Sequence, residues 1–224
     1  MENTSVEHML VASRATILDL LDRRGYETTP YRKLVGPELT KLVNSPDALR
    51  MTLTSKTNPE KKAIVQYHFT NIKTQVGTGD YVRTLLDEST KEGEDKLHVV
   101  NPKTTEVIVL YMAKGTTEDT KTYDTAALEA WNKYNFKIQF FPIPRLVWNP
   151  LTHVLQPKFE IVPPEEHKAL LKEWYCQSKT QLPIIRFHND PVARALGLVP
   201  LDIVKITSAS PTAGEYVKYR VCAP

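Results

Sequence analysis

Asp47, directly after Pro46, and then Glu60 and Lys62 form the one arrangement in this sequence that resembles a reaction centre. In such a P-D…E-x-K pattern, two carboxylates hold Mg²⁺ against a phosphate and the lysine helps to activate water. A pattern this loose recurs by accident. Glu60 also follows Pro59 in a polar stretch that reads as a turn, where a carboxylate is poorly held for catalysis. A Mg²⁺-dependent nuclease using Asp47, Glu60 and Lys62 is therefore carried as the alternative. The histidines at 8, 68, 98, 153, 167 and 188 show no ligand spacing, and none has a cysteine nearby. Cys176 and Cys222 make neither a disulfide framework nor a zinc site on their own, and a reducing compartment suits them. No phosphate-cradling glycine loop and no nucleophile elbow occurs, so neither a metal nor a cofactor is expected.

The elements that would carry such residues come next. The chain has 224 residues, 41% hydrophobic and 25% charged, which is enough for one large core or two small ones. Its net charge of +3 is spread evenly, with 20 basic and 19 acidic residues up to position 150 and 9 and 7 beyond. Neither half is a basic module of the kind that neutralises phosphates. Acidic residues break up the first thirty positions and the longest apolar run is Val107–Ala113, so neither a signal peptide nor a membrane span is expected. The expectation is a soluble intracellular protein.

Val6, Met9, Leu10, Ile17, Leu20 and Leu21 recur at helical spacing, and Gly25 sits where a C-terminal cap belongs. Gly36 and Pro37 limit a second helix before Leu39–Val43. Alternation through Met51–Ser55 and Ala63–Phe69, around Asn58-Pro59-Glu60-Lys61, predicts a hairpin. A short helix around Tyr81–Leu86 and a charged loop over 88–96 follow. Glu106–Met112 reads as a buried strand, 115–119 as a turn, and Ala126, Ala127, Ala130, Trp131 and Tyr134 as one face of a helix. Phe136–Phe141 reads as a returning strand. Alternating strands and helices predict an α/β layer structure for residues 1–150.

Six prolines from Pro142 to Pro164 then interrupt regular structure and mark a domain junction. Residues 151–224 read as a small α+β domain. Glu165 and Glu166 open a helix carrying Leu170, Leu171 and Trp174. Asp190-Pro191 starts a short helix that Gly197 closes, and Leu201–Thr207 and Glu215–Val221 form an antiparallel pair.

That last segment carries a family resemblance. Leu182-Pro183-Ile184, Asp190-Pro191-Val192-Ala193-Arg194 with Gly197, Val204-Lys205-Ile206, Thr212-Ala213-Gly214, Tyr216 and Tyr219-Arg220 follow one another in order. Together they resemble the assembly domain of the shared fifth subunit of eukaryotic nuclear RNA polymerases, related to a small subunit of the archaeal enzyme. The first half is similar to the jaw domain of that eukaryotic subunit, with Arg24-Gly25-Tyr26 ending its first helix. The resemblance implies a restriction-endonuclease-like jaw without an active site, beside downstream duplex DNA, and an assembly domain bound to the largest polymerase subunit and its neighbours. It implies a non-catalytic subunit in the nucleus, or in the nucleolus for a copy given to polymerase I. It implies no membrane and no small-molecule ligand.

Within that frame, Lys114, Thr116 and Lys121 are the DNA-proximal candidates, at or beside a turn that could meet phosphates. Where the family carries a Thr-Pro-Ser-Ala turn, this chain has Thr116-Thr117-Glu118-Asp119, whose charge opposes DNA contact and leaves a solvated turn as the other reading. Ser208, Pro211, Glu215 and Leu201 replace a usual arginine, glutamate, arginine and glycine. These departures point to a specialised copy, dedicated to one polymerase class or carried by a large DNA virus, where the site would be a virus factory or virion. Arg194, Tyr216, Lys218, Tyr219 and Arg220 are the expected exposed set for docking on the largest subunit, since arginine and tyrosine favour interface centres. A free transcription adaptor is the remaining alternative.

Overall fold

The computed structural model describes residues 2–33, 42, 46–86, 101–112, 120–187 and 190–224. Two compact units divide the chain, Met1–Asn149 and Pro150–Pro224. Apart from residue 42, the expected 36–43 stop and helix lie outside the described residues, as do the 88–96 loop and the 115–119 turn.

The N-terminal unit opens with helix α1, Glu2–Arg23. Leu10, Ile17, Leu18, Leu20 and Leu21 bury its apolar stripe. Gly25, at φ +88, ends it: the Gly25 amide donates to the Asp22 carbonyl and the Tyr26 amide to that of Leu21. A four-stranded sheet follows in the order β1-β2-β3-β4, comprising Met51–Thr54, Lys62–His68, Thr105–Tyr111 and Ile138–Pro142. The expected hairpin is β1 and β2, antiparallel with Met51 opposite Val65. β2, β3 and β4 then run parallel. Every residue of β3 is buried, as a strand covered on both faces requires. Pro142 closes β4 at the sheet edge, where a missing N–H does no harm.

Helices α2 (Lys73–Gly77), α3 (Asp80–Leu86) and α4 (Lys121–Tyr134) complete this unit. Strand alternation assigns their faces. Glu106 and Gln139 point to the side where Arg24 follows α1. Tyr111 and Phe140 point to the other, where Tyr123 of α4 stacks on Tyr111 and meets Phe140 at a tilt, with ring centroids 4.2 and 5.3 Å away.

The C-terminal unit is a second mixed sheet, ordered β5-β7-β8-β6, from Lys158–Ile161, Ile184–Arg186, Ile203–Ser210 and Gly214–Ala223. β7 and β8 form a long antiparallel hairpin, β5 adds antiparallel to β7, and β6 parallel to β8. Helix α5 (His167–Glu173) and helix α6 (Pro191–Leu196) pack within it. Val162, Leu170, Leu182, Ile203 and Val221 make one core cluster, edged by Leu171, Cys176 and Tyr219. β5 corrects the expectation of an irregular 142–163: between Pro157 and Pro163 four residues still find a sheet edge. No helix among the described residues is long and apolar enough to cross a membrane.

Candidate docking surface of the C-terminal unit

Asp190 accepts from the Val192 amide at 2.8 Å and the Ala193 amide at 3.1 Å, Pro191 occupies the first helical position, and Gly197 closes α6 at φ +68. All of Val192–Leu196 are buried. Arg194 therefore is not exposed: it retains 9% of its surface, a correction to the expected docking set. Its apolar neighbours on both sides carry it inside.

The other four candidates lie on β8, and alternation divides them. Tyr216, Lys218 and Arg220 project from one face, Val217, Tyr219 and Val221 from the other. Tyr219 lies edge-on to Trp174, 5.3 Å between centroids, and closes the core cluster. Tyr216 is 56% exposed, while Lys218 and Arg220 are half-buried. Arg220 donates through Nη1 to the Ile184 carbonyl at 2.9 Å, tying β6 to the hairpin. The presented chemistry is thus one tyrosine and two cations at two-residue spacing on a single strand.

Supporting residues fix this strand. Leu201 takes φ +74, donates its amide to the Cys222 carbonyl and accepts from Lys179 Nζ at its own carbonyl. The resemblance expects a glycine at this position, and the left-handed backbone strains the leucine that occupies it. Burial, with the charges of Asp202 and Asp190 beside it, pushes the Cys222 thiol up to about 12, so it is inert at neutral pH. His167 makes a 3.0 Å hydrogen bond from Nε2 to the Val162 carbonyl and is part of the core.

The nuclease arrangement does not assemble. Asp47 lies in the 46–49 turn, lining a cavity with Arg50, Gln66, His68 and Tyr81 at the carboxyl end of β2. Lys62 begins β2 and Glu60 lies in the hairpin turn before it. Six residue steps along a strand put these ends about 20 Å apart. A metal bridging all three is excluded by that span, and no cluster of three acidic, histidine or cysteine ligands occurs among the described residues. Around His68, Tyr81 accepts from its Nε2 at 2.9 Å and donates to Gln66 at 2.8 Å, while burial lowers the imidazole pKa. Lys114 and Thr116 lie outside the described residues. Lys121 begins α4, exposed, on a groove with Gly77, Thr78 and Arg83.

The N-terminal unit holds a polar cluster that the sequence reading missed. Glu106 is 5% exposed, 3.3 Å from Arg24 and 2.7 Å from Lys137, while Arg24 also donates to Gln139. Burial alone would raise the Glu106 pKa, but the charges of Lys137 and Arg24 outweigh it and hold the carboxyl at about 2. An acid heading an otherwise apolar strand was the available signal.

The described residues form a layered α/β unit and a small mixed-sheet unit whose long hairpin strand carries exposed or half-buried tyrosine, lysine and arginine side chains. Residues 148–222 match the family described as RNA polymerase Rpb5, C-terminal domain. Over 74 residues, 33% of this chain and 88% of the relative, it is 49% identical to the DNA-directed RNA polymerase subunit Rpo5 of Pyrococcus horikoshii. The Nitrosopumilus maritimus Rpo5 is 47% identical over 68 residues, 30% of this chain and 80% of the relative. Over 220 residues, 93% of this chain and 81% of the relative, it is 29% identical to the DNA-directed RNA polymerase V subunit 5C of Arabidopsis thaliana. The chain belongs to the Rpb5/Rpo5 family, as a divergent paralogue.

Proposed function

We propose that this chain is a non-catalytic subunit of a multisubunit DNA-dependent RNA polymerase. Its C-terminal unit docks on the largest subunit. Its N-terminal unit, with a restriction-endonuclease-like fold, forms part of the lower jaw beside downstream duplex DNA. The observation that carries this is the match of the C-terminal unit to archaeal polymerase subunits that consist of little else, covering 88% of one and 80% of another. Those relatives are named as polymerase subunits at little more than this length, and here the module folds with a capped helix and a long hairpin. The mixed sheet with helices on both faces supports the jaw assignment.

The copy is dedicated to one polymerase class and works in the nucleus. The relative matched along its length is named for polymerase V, and another from Arabidopsis thaliana, 34% identical over 94 residues, for polymerases IV and V. Such names favour class-specific paralogues.

Lys218→Glu with Arg220→Glu tests the docking. A tagged wild-type chain brings down the largest subunit in equal amount, whereas the double variant loses at least about tenfold, the loss expected when an interfacial charge cluster is reversed. Equal recovery by the double variant sinks the assignment. Partner identification in the same sample names the polymerase class.

A further inference from the structure

The β8 strand is longer than its outer neighbour. β6 pairs with Val221, Cys222 and Ala223 and no further. The Cys222 amide donates to Asp202 on the β7 side, and the Val221 amide donates to Pro183 on the β6 side. Alternation therefore turns the N–H and C=O of Val217 and Tyr219 outward, away from β7. The next donor toward the Tyr219 carbonyl in the β6 register is residue 183, a proline with no N–H. Among the described residues of the C-terminal unit, no strand pairs with this edge.

Both faces along the edge have a character. Lys218 and Arg220 line one, with Tyr216. Val217 and Tyr219 line the other, and Trp174, 45% exposed, packs beside Tyr219. An added strand would place alternate side chains over the cations and the rest over the aromatic pair. Glu215, the acid at the hairpin tip, lies beyond the central three positions.

We propose that the outer edge of β8, centred on Val217 and Tyr219, receives an extended segment of another polypeptide as an added strand, with carboxylates on the Lys218 and Arg220 face and apolar residues on the Tyr219 and Trp174 face. This deepens the docking assigned above and rests on it for the partner's identity. Charge argues for a different chain over a second copy. Antiparallel self-pairing centred on Lys218 sets lysine against lysine, centred on Tyr219 sets lysine against arginine, and centred on Val217 sets Lys218 against Tyr216, so no register gives either cation a carboxylate.

Residue-resolved amide exchange on the full chain, alone and within the complex it purifies with, tests the edge. In the free chain Val217 and Tyr219 exchange fast, while Tyr216 and Lys218, bonded to β7, are slow. In the complex Val217 and Tyr219 slow by about a hundredfold or more. Fast exchange at both positions in the complex overturns the proposal. A second arm needs no polymerase: an acetylated peptide of about ten residues alternating valine and aspartate, an ordinary strand's length or a little more, is added to the chain alone. Protection of Val217 and Tyr219 by this peptide, and none by a valine–lysine peptide, supports the edge even if the wild-type chain brings down no polymerase subunit. Equal effects of the two peptides, or protection in the chain alone that rises with its concentration, overturn it. Val217→Pro removes the outward amide without touching the β7 ladder, and is expected to abolish peptide binding with an unchanged unfolding transition.

Discussion

The central strand of one unit and the long strand of the other place their charged side chains in opposite ways. In Met1–Asn149 the central strand is buried along its length, and charged and hydroxyl groups turn inward: Glu106 to Arg24 and Lys137, His68 and Gln66 to Tyr81. Among the described residues of Pro150–Pro224, no strand pairs with the outer side of β8 before Val221, and its cations and Tyr216 lie partly or largely in solvent. A sheet closed on both faces has little left to offer a partner, whereas an open-edged hairpin is an unfinished sheet. The family match lies in the second of these units, over residues 148–222.

Breaking the inward network should have the largest effect. Glu106→Ala leaves two cations facing an emptied site and is expected to destabilise the N-terminal unit by about 3–5 kcal/mol, read from urea unfolding. Glu106→Gln sharpens the point through pH. The folded carboxyl sits at about 2, below its ordinary 4.5, so its stabilisation is complete above 4.5 and is lost as pH falls toward 2. That loss amounts to about 3 kcal/mol, and its slope should be absent in the glutamine variant.

Asp190→Ala probes the open unit. Two amides lose their acceptor and α6 loses its start, a cost of about 1–2 kcal/mol measured as a lowered unfolding midpoint. The smallest effect is a gain. Leu201→Gly relieves a left-handed leucine but loosens the unfolded chain, a net stabilisation of about 0.5 kcal/mol in the same measurement. A loss at Leu201→Gly would mean that the exposed leucine side chain is gripped by more than its backbone.

Elements with strong local signals were legible in the sequence. The α1 stripe ending at Gly25, the β1–β2 hairpin, the apolar run of β3 and the Asp190-Pro191 start of α6 all occur where spacing and caps put them. Elements held by distant pairing were not. β5 has four residues between prolines and exists because β7 offers it an edge. α2 has five residues and lacks a side-chain cap. The ion cluster joins residues 24, 106 and 137, which no local pattern connects. The β8 residues stand together in the sequence, but their division between two faces follows from a strand register that local patterning fixes only loosely. Arg194 was misjudged because its own charge was weighed above the four apolar residues around it.

The most direct test of the whole account is the stoichiometry of a tagged chain purified under native conditions from its own cells. One copy per largest polymerase subunit, sedimenting with the full complex and with no sizeable free pool, is the predicted result. A chain recovered as a lone monomer, without polymerase subunits, would contradict it.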